Sequence, residues 1–216
     1  MMQCMAFPWT EVRQRIAELA RLGSLSVAQD HKSFAATGPD GAPVAQLFPP
    51  PCLPIGALSP AAYVSALPAT LGTLLVFLVR AGACACGVWK DDELILHKVI
   101  KKYVVRGNGR AQTSYRKTKG KSRAGSRLRL RNAQSLLEET NARLIAWQRQ
   151  VGRFDRVFFY APERLRSDLF GADPAPPFTS DDPRVALIPT HVHEPGFEEL
   201  LRVHRFLTHG RVVLPA

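Results

Sequence analysis

Twelve lysines and arginines, and no aspartate or glutamate, lie between Lys101 and Arg131. Among them sits one glutamine, Gln112, directly behind Gly109-Arg110-Ala111. The other 185 residues hold 17 basic and 18 acidic side chains, so the excess behind the net charge of +11 belongs to this one stretch. A basic block on a near-neutral body is the pattern of a polyanion binder, whose cations displace the counterions condensed on a phosphate backbone. The bland alternative is a solvated charge run that only aids solubility. Arg106, Arg110, Arg116, Lys117, Lys119, Lys121, Arg123 and Arg127 are the candidate RNA contacts, with Gly109 allowing a close backbone approach. A glutamine at the apex of such a segment can orient water through its amide, and small neighbours let its backbone approach a reacting ester. Most loop glutamines are merely solvated, so Gln112 alone is a weak signal.

Other constellations carry less. Gly107-Asn108-Gly109-Arg110-Ala111-Gln112 lacks the last glycine of a dinucleotide fingerprint and does not open a strand–helix–strand unit. Gly120-Lys121-Ser122 ends like a phosphate-binding loop, but Tyr115 stands where its first glycine belongs. Cys84 and Cys86 share one face of an expected strand without a second cysteine pair at zinc spacing, which favours core packing. His191-x-His193-Glu194 has ligand-type residues in a connection, with no evident third partner. Neither a metal nor another cofactor is expected.

The elements that position these residues follow from hydrophobic pattern. A helix is expected over about Trp9–Leu22, capped by Thr10, with Val12, Ile16 and Leu19 on one stripe. Prolines crowd the chain from Pro39 to Pro60, so Gly23–Thr70 reads as an irregular extension with a short helix at Pro60–Leu67. Thr73–Val79 is a continuous apolar run suited to a strand buried on both faces. Strands at Gly82–Trp89 and Glu93–Ile100 complete an antiparallel meander, the last continuing through Tyr103–Arg106. After the basic segment come a helix from about Ser126 to Gln150, a strand at Asp155–Tyr160, a helix at Pro162–Phe170, a strand at Pro183–Ile188 and a helix at Pro195–Thr208. In that helix Phe197, Leu200, Leu201, His204 and Leu207 should face inward, as should Leu130, Leu137, Leu144 and Trp147 in the long one. That order gives an α/β fold, an RNase H-like mixed sheet of about five strands over residues 72–212, preceded by a helical and proline-rich extension over 1–71. Its first strand has none of the carboxylates that an RNase H-type nuclease uses to hold metal ions. Pro68–Trp89 is apolar, but Arg80 near its centre and Gly72 and Gly82 speak against a membrane span. With no signal peptide and no disulfide framework in its four cysteines, the chain is expected in the cytoplasm.

The series Leu74–Arg106, Gly109-Arg110-Ala111-Gln112 and Ser122–Arg129 resembles the VMS-like release-factor family, relatives of the middle domain of eukaryotic and archaeal peptide-chain release factors. His97-Lys98, Tyr103–Arg106, Asn132, Tyr160-Ala161-Pro162, Leu169-Phe170-Gly171, Asp182–Val185 and Val203-His204-Arg205 extend the likeness over residues 72 to 208. The resemblance implies a domain that reaches peptidyl-tRNA on a large ribosomal subunit and severs the nascent chain, with Gln112 essential; a monomer is expected. Arg110-Ala111 replaces the glycine pair of classical release factors. Two bonds are open to attack: the peptidyl ester, by water, or a phosphodiester near the tRNA 3′ end, by a 2′-hydroxyl. No His or carboxylate lies between Lys98 and Gln134, so a local general base is missing and ester hydrolysis is favoured; His97, His191 and His193 remain as bases from elsewhere. The alternatives are a non-catalytic tRNA- or ribosome-binding protein and a tRNA 3′-end nuclease.

Overall fold

The computed structural model describes residues 3–102 and 121–214. In chain order the elements are β1 (Gln3–Pro8), α1 (Val12–Leu22), β2 (Ser24–Val27), β3 (Phe34–Thr37), β4 (Pro43–Phe48), α2 (Pro60–Ala66), β5 (Thr73–Arg80), β6 (Ala83–Lys90), β7 (Glu93–Lys101), α3 (Lys121–Val151), β8 (Arg156–Tyr160), α4 (Glu163–Gly171), β9 (Val185–Leu187), α5 (Phe197–Thr208) and β10 (His209–Leu214). They form two compact units, Met1–Thr70 with Arg202–Ala216, and Leu71–Leu201.

The first unit holds a five-stranded antiparallel sheet in the order β1-β10-β4-β3-β2. The stretch read as irregular therefore contains three strands. Its prolines stand at strand margins: Pro39 between β3 and β4, Pro43 as the first residue of β4, and Pro49 to Pro51 just beyond it, where no ladder N–H is needed. Phe34, Ala36, Ala45 and Leu47 alternate inward, and Phe34 meets Tyr63 of α2 edge-on at 5.2 Å. Thr10 does not cap α1; it lies in a 3-10 turn, and Glu11 occupies the cap position without a capping hydrogen bond, its carboxylate instead accepting from Arg15. Val12, Ile16 and Leu19 are buried at the spacing that the sequence suggested. β10 follows the closing helix and pairs along its whole length with β1, joining the two ends of the chain in one sheet.

The second unit is the RNase H-like α/β body. Its sheet runs β7-β6-β5-β8-β9, with β7, β6 and β5 antiparallel and β5, β8 and β9 parallel. Leu74 through Val79 of β5 are all fully buried, as a strand covered on both faces requires. Leu75, Phe77, Val79, Cys84, Cys86 and Val88 pack with Leu136, Leu137, Leu144 and Trp147 of α3. The Asp155 carboxylate accepts the Thr73 N–H at 2.7 Å, pinning the start of β5 beside β8. Cys84 and Cys86 are core residues with sulfurs 3.2 Å apart; their hydrogen bond, then burial, pushes the Cys86 thiol well above its usual range.

Several boundaries differ from expectation. α3 starts at Lys121, and Leu130 is 69% exposed because its first turns precede the core packing that begins at Leu136. α5 starts at Phe197, past Pro195, and Phe197 and Leu201 are exposed while Leu200, Val203 and Leu207 are buried. The apolar stretch around Arg80 is a strand pair, and none of the described helices is long and apolar enough to cross a membrane.

Candidate nucleic-acid interface

The basic segment begins at one end of the second sheet. Arg80, Ala83 and Lys101 lie in a single row there, Arg80 opposite Ala83 and Ala83 opposite Lys101. One residue on, the Lys102 N–H donates to the Gly82 carbonyl at 2.8 Å, and its ammonium meets Glu139 of α3 at 2.9 Å. The strand that leads into the segment is thus tied to the helix that leads out of it. The Lys102–Glu139 pair is partly exposed, so its strength is about 0.2–1 kcal/mol and its value is positional.

Gln112, Arg106, Gly109, Arg110, Arg116, Lys117 and Lys119 lie outside the described residues. Lys121 and Arg123 fall at the start of α3. Arg127 is exposed on the same helix, and Arg131, one turn later, is exposed as well. Residues four apart share a helix face, so these two cations form a short basic ridge, flanked by exposed Leu128 and Leu130. No acidic residue occurs in the sequence between Lys98 and Glu138 to neutralise it.

A second group of residues reaches the same end of the sheet from a distant part of the chain. Lys101 donates to Glu194 at 2.8 Å and holds that carboxyl below the usual glutamate range. Arg80, the last residue of β5, donates to the Val192 carbonyl at 3.2 Å. The His193 N–H donates to the Glu199 carboxylate at 2.6 Å. Val192 and Pro195 are buried while His191, His193 and Glu194 are exposed, so two side chains plug the segment in and Val192 lies between two outward histidines. The His191 and His193 rings meet edge-on, 4.9 Å between centroids. Sequence reasoning found the histidines but not their location, because the hydrogen bonds join residues 93 and 112 positions apart and leave no local pattern. His97 lies elsewhere on β7, its ring tilted against Phe197 at 4.6 Å. Among the described residues no three His, Cys, Asp or Glu side chains gather to hold a metal ion.

The class defined here is a mixed α/β domain of RNase H-like order in which an acid-free cationic stretch of sequence joins the meander edge to the long helix. More narrowly, the chain belongs to the Bacteroidetes VLRF1 release factor family, whose model matches residues 74–214. The family inferred from the motifs and the family identified by the match agree. Among curated proteins, the mouse tRNA endonuclease ANKZF1 is 32% identical over 138 residues, 62% of this chain and 18% of its own length. Human tRNA endonuclease ANKZF1 is 30% identical over 138 residues, covering 62% of this chain and 19% of its own. The Caenorhabditis elegans tRNA endonuclease vms-1 is 25% identical over 128 residues, 58% of this chain and 20% of its own. The chain thus spans about a fifth of the length of these relatives. The solved Vms1 mitochondrial localization core superposes with a TM-score of 0.55 at 14% identity, over 94% of this chain and 84% of its own, and shares the fold.

Proposed function

We propose that this protein frees nascent peptides from tRNA on stalled ribosomes or large subunits, and that it does so by cutting the tRNA near its 3′ end. The observation that carries the reading is double membership: the domain matches a release-factor family, while relatives at 30–32% identity over 138 residues bear the name tRNA endonuclease. One cut reconciles the two, because a peptide esterified to the terminal nucleotide leaves with it when a phosphodiester upstream breaks. Arg110, in place of the first glycine of a release-factor tripeptide, suits a phosphate whose charge rises during internal attack. Ester hydrolysis is the second reading, favoured by the release-factor-like G-x-x-Q sequence at Gly109–Gln112.

In either chemistry Gln112 is the residue at the reacting bond. Arg106, Arg110, Arg116, Lys117, Lys119, Lys121, Arg123 and Arg127 grip tRNA or ribosomal RNA phosphates, and Gly109 lets the backbone come close. The reading calls for a cytoplasmic monomer working without a cofactor. Its test is Gln112→Ala, which should lower peptide release from peptidyl-tRNA-bearing large subunits on the order of a hundredfold. Thermal stability should stay within about 0.5 kcal/mol of the parent. Release at the parental rate would leave a non-catalytic binding protein as the better reading.

A further inference from the structure

We propose that His191 and His193 are the acid–base pair of the tRNA cut, an inference that rests on the phosphodiester reading above. The sequence poses the problem that the pair solves. Internal attack needs a base to take the 2′-hydroxyl proton and an acid to protonate the leaving oxygen, and residues 99–133 hold no imidazole and no carboxylate. The groups must therefore come from a part of the fold that reaches the basic segment from elsewhere.

Among the described residues, titratable side chains meet the root of that segment at Glu139, paired with Lys102, and along the stretch from His191 to Glu194, and the second of these supplies imidazoles. Glu194 is joined to Lys101, the last strand residue before it, at 2.8 Å. Arg80, in the same row of the sheet, holds the Val192 carbonyl, and Glu199 holds the His193 N–H. The bonds at the Val192 carbonyl and the His193 N–H, with the buried Val192 and Pro195 side chains, fix the backbone between and after the two histidines. Fixed backbone is what a connection needs if its side chains are to do chemistry and not merely be solvated. The alternation then turns both imidazoles outward together, edge to face at 4.9 Å, close enough for one phosphodiester to touch both. Two cations, Lys101 and Arg80, and two carboxylates, Glu194 and Glu199, lie around the histidines, so the spot itself is near neutral.

The step balances without metal or co-reactant. A neutral imidazole takes the 2′-hydroxyl proton as the 2′-oxygen attacks phosphorus. The bond from phosphorus to the 5′-oxygen of the next nucleotide breaks, and the imidazolium of the other histidine protonates that oxygen. The shortened tRNA ends in a 2′,3′-cyclic phosphate, and the peptide leaves on a short oligonucleotide with a 5′-hydroxyl. The net result is a transesterification, one phosphorus–oxygen bond made and one broken, which leaves the first histidine with an added proton and the second without one until exchange with water resets both.

The experiment compares the full chain with His191→Ala, His193→Ala, the double variant and His191→Gln/His193→Gln on peptidyl-tRNA-bearing large subunits. It follows the tRNA end, the peptide and tRNA binding, with melting curves as a fold control. Each alanine variant should cut on the order of a hundredfold slower or worse with unchanged tRNA binding, and added imidazole should restore part of the rate. The glutamine pair keeps polarity and size and should stay equally slow. A double variant that cuts within about threefold of the parent would overturn the pair while leaving the nuclease reading intact. Equal loss of binding and cutting would overturn it too, by making the histidines binding residues. An intact tRNA 3′ end from the parent protein would sink both the pair and the reading beneath it, and is seen on the same gel.

Discussion

Gly87 lies in the middle of β6, opposite His97 of the strand that delivers Lys101 and Lys102 to the basic segment. A Cβ built there would stand 2.6 Å from two ring carbons of Trp89 and 3.0 Å from a methyl of Leu200. Carbon atoms attract best at about 3.5–4.0 Å, so Gly87→Ala requires shifts of roughly 1 Å. Trp89 is 2% exposed and Leu200 fully buried, so neither can swing into solvent. Overpacking of this kind costs about 1–3 kcal/mol. For a protein of this size each kcal/mol moves the melting point by about 2–4 °C, which gives a fall on the order of 2–12 °C. The assay is thermal unfolding followed by circular dichroism, beside Gly171→Ala at the end of α4, where nothing lies within 4 Å. Gly171→Ala should stay within about 0.5 kcal/mol of the parent. Equal melting points for the parent and Gly87→Ala would refute the claim that the sheet is closed on this face.

Leu144→Ala removes a fully buried side chain from the face of α3 that packs on the sheet and should destabilise by about 2–5 kcal/mol in urea unfolding. Asp182 accepts hydrogen bonds from the Arg184 guanidinium and from its backbone N–H, and these hold its carboxyl below the usual range. A depressed native value means that the unfolded chain takes up the proton first as pH falls. The stabilisation is therefore present above the unfolded value of about 3.9 and is lost as pH drops through the native one. The melting-point gap between the parent and Asp182→Asn should accordingly be open at neutral pH and close in acid; a gap that widens in acid would contradict it. Replacing Arg116, Lys117 and Lys119 with Gln should flatten the plot of log binding constant against log salt, measured by tRNA binding, by about one unit for each phosphate no longer neutralised.

What the sequence made legible follows from how local the signal was. Thr73–Val79 could only be a strand covered on both faces, and the order of elements after it implied the RNase H-like sheet. The first unit was harder, because β2 to β4 are four to six residues long and prolines stand beside β3 and β4, while β1 and β10 find each other from opposite ends of the chain. Neither fact has a local signature. Leu130 sits at helical spacing yet is exposed, since periodicity marks a face but not where along a helix the core begins. Charge placed the candidate RNA-binding segment, and family resemblance singled out Gln112 within it. The position of His191–Glu194 beside Lys101 depended on tertiary structure alone.

The central claim concerns which bond breaks, and the tRNA 3′ end records it. Purified large subunits carrying a labelled peptidyl-tRNA are incubated with the protein, and the tRNA is resolved at single-nucleotide resolution while free peptide is counted. The account predicts that shortened tRNA accumulates in step with freed peptide, and that both fall on the order of a hundredfold with Gln112→Ala. Freed peptide beside tRNA that keeps its complete CCA end would contradict it.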